Sequence, residues 1–169
     1  IILKRHLAVK HYIPSKNTAR SDDIMKIIVD ADACPVKEII LKTAQKYDIK
    51  VIMVTDTSHI MYDMPCEVKT VDKGRDSADI AIANMVSKGD ISVTQDYGLA
   101  CMLLAKGSHV VNQNGFLYTN ENIDSLLMRR HISAKQRRSG KKTGHTSART
   151  PEDDKRFAEC LEKLISSLM

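Results

Sequence analysis

A chain of 169 residues with 43% hydrophobic and 28% charged residues is long enough for one compact domain and has neither a disordered nor a collagen-like composition. No apolar run approaches the roughly 20 residues that span a bilayer, and 4% aromatic content without tryptophan argues against ranks of stacked rings on a nucleic-acid surface. The net charge of +5 is uneven: eight basic and no acidic residues lie between Arg129 and Arg149, leaving 18 basic against 21 acidic residues, or −3, elsewhere.

Taken in chain order, residues 1–24 show no continuing periodicity and are read as an N-terminal extension, with Met25 a plausible internal start. KIIVD (26–30) is a buried-type strand, and Pro35 opens a helix reaching Tyr47. KVIMV (50–54) and EVKTV (67–71) are the next strands. Gly74 leads to a helix starting near Asp76 or Ser77 and ending near Gly89. ISVTQ (91–95) is a fourth strand, Gly98 to Lys106 a short helix, and HVVN (109–112) a fifth strand. Strands alternating with helices predict an α/β fold with a mainly parallel sheet of about five strands, covered on both faces. Thr119 caps a helix carrying Ile123, Leu126 and Leu127 on one face. The basic segment 129–149, with Gly140 and Gly144, is expected to be a loop. Thr150-Pro151-Glu152-Asp153 then starts a C-terminal helix (151–168), docked through Phe157, Leu161, Leu164, Ile165 and Leu168. Residues 25–169 are thus expected to form a single domain.

Cys34, Cys66, Cys101 and Cys160 are scattered, with no CxxC pair and no zinc-finger spacing, so reduced cysteines and a cytoplasmic location are expected. Cys34, ahead of a helix, is either a buried structural cysteine or a reactive thiol.

The chemistry-bearing residues are aspartates. Asp30 ends the first strand, Asp32 follows it, and Asp96 follows the fourth, so all three lie along the carboxyl edge where open α/β folds bind ligands. Asp76 and Asp79 share a face at a helix start. Two carboxylates about 5 Å apart repel by on the order of 3 kcal/mol at an effective dielectric near 20, so a cluster needs a cation, a proton or basic neighbours. Mg²⁺ or Mn²⁺ suits such oxygen donors, and either ion can activate water against a phosphodiester. Structural duties compete: Asp32 and Asp76 as helix caps, Asp79 against a helix dipole, Asp96 in a turn. Asp56 and Asp72 are left as outer-sphere candidates.

VDADACPVK (29–37), GRDSADIAIA (74–83), VTQDYGLA (93–100), VVNQNGFLYT (110–119), KKTGH (141–145) and FAECLEKL (157–164) together resemble the bacterial YaiI/YqxD family, grouped with PIN-like domains. The resemblance runs from about Met25 to the C-terminus. It implies a three-layer Rossmann-like fold and a metal-dependent nuclease site, with Asp30, Asp79 and Asp96 as the catalytic acids and Asp32 and Asp76 as further metal ligands. PIN-like nucleases often carry another acid shortly after the last of these; Tyr97, Gly98 and Leu99 stand there instead. Of Asn112, Asn114, Gly115 and Tyr118, which also match, physics alone justifies a turn and a packed tyrosine.

The leading expectation is therefore hydrolysis of RNA or DNA by metal-activated water. Arg129, Arg130, Lys135, Arg137, Arg138, Lys141, Lys142 and Arg149 are then the candidate phosphate contacts; a solvated cationic loop is the plainer alternative. No membrane partner is expected. A non-catalytic nucleic-acid-binding module is the second reading. A DxD-type phosphatase, with Asp30 as nucleophile and Asp32 as acid/base, is the third.

Overall fold

The computed structural model describes residues 24–58, 64–74, 76–139 and 148–169. The extension read over residues 1–24 lies outside them apart from its last residue. Five parallel strands, β1 (Lys26–Asp30), β2 (Lys50–Asp56), β3 (Glu67–Val71), β4 (Ile91–Val93) and β5 (His109–Asn112), are joined by β6 (Phe116–Tyr118), which runs antiparallel to β5. Their spatial order is β3-β2-β1-β4-β5-β6. The chain grows outward from β1 in one direction, then returns to β4 on β1's other side and grows in the opposite direction. The crevice between the carboxyl ends of β1 and β4 is consequently the topological switch point, the usual ligand position in this architecture.

Alternation along the strands divides the core into two layers. Ile27, Val29, Val51, Met53, Ile91, Val93 and Val111 face α1 (Lys37–Lys46) and α5 (Pro151–Leu168). Ile28, Ile52, Val54 and Val110 face the other layer, formed by α2 (Ser77–Met85), α3 (Tyr97–Ala105) and α4 (Asn120–Arg138). Asp30, two residues after Ile28, thus leans towards the α2/α3 side.

Helix α5 starts as its sequence predicts. Thr150 and Asp153 form a reciprocal capping box, with Pro151 in the first turn, and Phe157, Leu161, Leu164 and Ile165 are buried. Leu168, expected on that face, is 36% exposed at the last residue of the helix.

Three expectations are corrected. Strand β6 was not anticipated: it is three residues long and returns from β5 through Gln113-Asn114-Gly115, with Gly115 at φ +77°. Gly115 is also where a methyl group would sit 2.7 Å from the Arg156 backbone, so the hairpin packs directly on α5. Helix α2 ends at Met85 with Val86 extended, and Gly89 (φ +88°) belongs to the turn into β4 rather than to a helix cap. The basic segment is not simply a loop, since its first ten residues continue α4 to Arg138. Met128, Arg129, Arg130, Lys135 and Gln136 are good helix formers and no glycine intervenes before Gly140, so propensity outweighs charge repulsion. Lys141 and Lys142 lie outside the described residues.

Among the described residues no helix is long and apolar enough to cross a membrane.

Candidate metal and phosphate site

Asp30 and Asp96 sit on either side of the switch point and share one threonine. In register, Val29 pairs with Val93, so the residue after β4 stands beside the end of β1. Thr94 Oγ1 donates to Asp30 Oδ2 at 2.8 Å and accepts the Asp96 backbone N–H at 3.1 Å. Burial pushes the Asp30 carboxyl above its ordinary value; the Thr94 bond and Lys37 oppose this, while the charges of Asp32 and Asp96 reinforce it.

Asp96 has taken the structural role open to it. It is the N-cap of α3, its Oδ1 accepting the N–H groups of Gly98 at 2.6 Å and Leu99 at 3.1 Å. Its Oδ2 accepts Arg130 Nη1 at 3.1 Å. Burial pushes this carboxyl upward, but the N–H of Leu99, the Arg130 guanidinium and the N–H of Gly98 together outweigh it and hold Asp96 below the ordinary carboxylate value.

Asp79 comes from the first turn of α2, close enough to the same edge to feel the charges of Asp30 and Asp96. Its carboxyl is pushed up to about 6, by burial first and then by the negative charges of Asp30, Asp96 and Asp76. The three principal acids are thus electrically coupled, as their separate origins in β1, α2 and the β4–α3 turn allow.

The other two candidate ligands are placed differently. Asp76 occupies the N-cap position of α2 in a left-handed conformation (φ 61°) without a side-chain capping bond. Asp32 does not cap α1, which has Val36 at that position. Its carboxylate turns instead to the end of β2, accepting Thr55 Oγ1 and, at 3.2–3.3 Å, the N–H of Asp56. Asp56 itself accepts the N–H of Ser58 in a local turn, and Asp72 is exposed after β3.

The donors at this edge are carboxylates and a threonine hydroxyl, which suit a hard divalent cation. Among the described residues no three His, Cys, Asp or Glu side chains form a group that could hold a metal ion. Mg²⁺ and Mn²⁺ commonly keep several waters and need only one or two direct carboxylates, so the donor chemistry fits a hydrated ion. Asp30 and Asp79, both held above the ordinary carboxylate value, would hold it, with Asp96 available only when Arg130 leaves.

The basic residues divide into two groups. Arg129, Arg130, Lys135 and Arg138 lie exposed on α4. Arg137 is in the same helix, with its side chain outside the description. Arg149 is separate and mostly buried: its Nε donates to Asp154 at 2.5 Å and its Nη1 to Asn114 at 3.5 Å, tying the start of α5 to the β5–β6 turn. Cys34 is buried, and burial raises its thiol pKa, which makes it an unreactive core residue. Asn112 and Tyr118 pair inside the fold, Nδ2 to hydroxyl at 2.6 Å, while Asn114 and Gly115 form the turn.

Sequence reasoning passed over Thr94 and Thr55. Their only signal is position: each is a hydroxyl residue at the end of a parallel strand, with an aspartate one residue (Thr55) or two residues (Thr94) further on.

The model of the uncharacterised YaiI/YqxD family matches residues 28–167. A "UPF0178 protein" of Alkaliphilus oremlandii is 56% identical over 137 residues, covering 81% of this chain and 88% of the relative. Its counterpart in Ruminiclostridium cellulolyticum is 56% identical over 137 residues, with 81% and 90% covered. That of Oceanobacillus iheyensis is 50% identical over 145 residues, with 84% and 99% covered. No solved structure gives a significant match. The matched span contains every aspartate of the carboxyl edge, helix α4 and all but the last residue of α5, and the chain belongs to the YaiI/YqxD family.

Proposed function

We propose that this protein is a metal-dependent nuclease that hydrolyses phosphodiester bonds of RNA or DNA, with Mg²⁺ or Mn²⁺ as cofactor. The observation that supports this reading is the electrostatic coupling of Asp79 to Asp30 and Asp96 at the carboxyl edge, where burial first and then their negative charges push the Asp79 carboxyl up to about 6. Such an arrangement is costly without a compensating cation. The chemistry a divalent ion supplies is acidification of water and neutralisation of charge on a phosphodiester. Asp30 and Asp79 provide the negative charge that retains the ion, and Thr94 orients Asp30. Arg130, paired with Asp96, and the exposed Arg129, Lys135 and Arg138 elsewhere on α4 offer contacts for a polyanion.

A non-catalytic nucleic-acid-binding module is the second reading, favoured by the Arg130 contact on Asp96 and by the ordinary capping role of that residue. Incubation of purified protein with labelled RNA and DNA, with and without Mn²⁺ or Mg²⁺, separates the two. A nuclease cleaves only with metal and loses at least about a hundredfold in rate in Asp30→Asn. Binding without cleavage under every metal condition would establish the second reading.

A further inference from the structure

Arg130 stands where a cation would have to go. Asp96 Oδ1 is committed to the first turn of α3 through two N–H groups, so Oδ2 is the oxygen left for another partner, and Arg130 Nη1 occupies it at 3.1 Å. The guanidinium also lies 5.8 Å from the centroid of the Tyr97 ring, above a cleft lined by Tyr97, Leu126, Arg129 and Ser133. Both partners of the ion pair are well exposed, with Arg130 at 52% and Asp96 at 37%, so the bond is weak and easily exchanged. Leu126 and Leu127 pack into the core one turn earlier, which lets the Arg130 side chain move while α4 stays docked.

We propose, building on the metal-site reading above, that Arg130 and a divalent cation compete for Asp96 Oδ2. The displaced guanidinium then becomes a ligand of the substrate phosphate. In the absence of metal, Arg130 serves as an internal counterion for the acidic edge. A dication has the larger charge and wins the carboxylate, and a phosphate oxygen pair in the adjacent cleft gives the guanidinium a planar bidentate partner in exchange. The cleft is thereby a phosphate subsite that forms only with the metal bound, and Tyr97 is the surface along which Arg130 moves.

Binding of Mn²⁺ alone, followed by loss of the free-ion electron paramagnetic resonance signal, tests the competition. Arg130→Gln should bind Mn²⁺ about threefold to tenfold more tightly than the unaltered protein. Arg130→Lys, which keeps the charge, should stay near the unaltered value. Arg129→Gln removes one charge from the same cleft without an observed contact to Asp96, and should change affinity by less than about twofold. Equal or weaker binding by Arg130→Gln would overturn the competition, as would an equal gain in Arg129→Gln, which would reduce it to a general field effect. Failure of every form to bind Mn²⁺ would overturn the metal-site reading and this one with it. With Ca²⁺ present to hold back hydrolysis, Arg130→Gln should bind a labelled single-stranded oligonucleotide at least about fivefold more weakly; unchanged affinity would remove the phosphate role.

Discussion

At the scale of single residues, the carboxyl edge trades folding stability for charge. Asp79 has a folded-state pKa of about 6 against an ordinary 3.8, so the folded protein holds this proton more tightly than the unfolded chain does. Ionisation of Asp79 therefore opposes folding. The penalty is complete above about pH 6, shrinks as pH falls from there towards 3.8, and is absent below. Asp79→Asn should stabilise the metal-free protein at pH 7.5 by about 1 kcal/mol, the full shift being reduced because the side chain is partly exposed and screened by solvent. Thermal unfolding should show a rise of about 2–4 °C at that pH and no gain near pH 4. Because a cation needs the ionised carboxylate, Mn²⁺ affinity should fall as pH drops below about 6. Asp96 separates structure from function in a different way. Asn caps a helix as well as Asp does, so Asp96→Asn should unfold near the unaltered temperature, whereas Asp96→Ala should lose about 1 kcal/mol in denaturant titration. Both should lose metal-dependent cleavage. Of the residues in this site, the aspartates were legible because carboxylates at strand ends and helix starts have few local uses. Thr94 was not, since a threonine after a strand has many.

At the scale of elements, the parallel strands β1, β3 and β5 were readable to the residue: β1 and β5 because a buried strand has little freedom in composition, and the mostly exposed β3 from its alternation of Val68 and Val71 with polar residues. Strand β6 was not, being three residues of mixed character whose pairing depends on the Gly115 turn and on α5 beneath it. That dependence makes Gly115→Ala a sharp test. The added methyl meets backbone rather than a movable side chain, at a positive φ, and should cost about 2–3 kcal/mol in chemical denaturation by lifting the hairpin from α5. The opposite edge of the sheet carries a structural carboxylate that the sequence did not announce. Asp90 is 2% exposed and accepts the backbone N–H groups of Lys26 and Ser87, while its Oδ2 lies 2.7 Å from Lys26 Nζ. Asp90→Ala should destabilise by about 3 kcal/mol while leaving Mn²⁺ affinity unchanged in the folded fraction. The contrast with Asp30 is physical: Asp90 is met by two N–H groups and an ammonium, whereas Asp30 accepts one threonine hydroxyl and has the negative charges of Asp32 and Asp96 nearby.

At the scale of the whole molecule, the distribution of charge joins the two halves of the account. A body of net charge −3 carries one cationic segment, and the structure makes the first part of that segment a helix whose near end touches the acidic edge. The charge was legible from composition, but its conformation was not, because cationic runs are compatible with helix whenever glycine and proline are absent. Exchanging Arg137, Arg138, Lys141 and Lys142 together for Gln should weaken nucleic-acid binding and flatten the plot of log affinity against log salt by up to roughly one unit of slope per lost phosphate contact. Metal binding and melting temperature should stay nearly constant. An unchanged slope would take this segment out of substrate binding. The central claim, that the separated aspartates act together on one divalent cation, is tested most directly by anomalous diffraction from crystals of the metal-loaded protein. The account predicts a Mn²⁺ peak at the switch point, against Asp30 and Asp79, with Arg130 withdrawn from Asp96. A fully ordered edge with no peak, and with Arg130 still on Asp96 at saturating Mn²⁺, would contradict it.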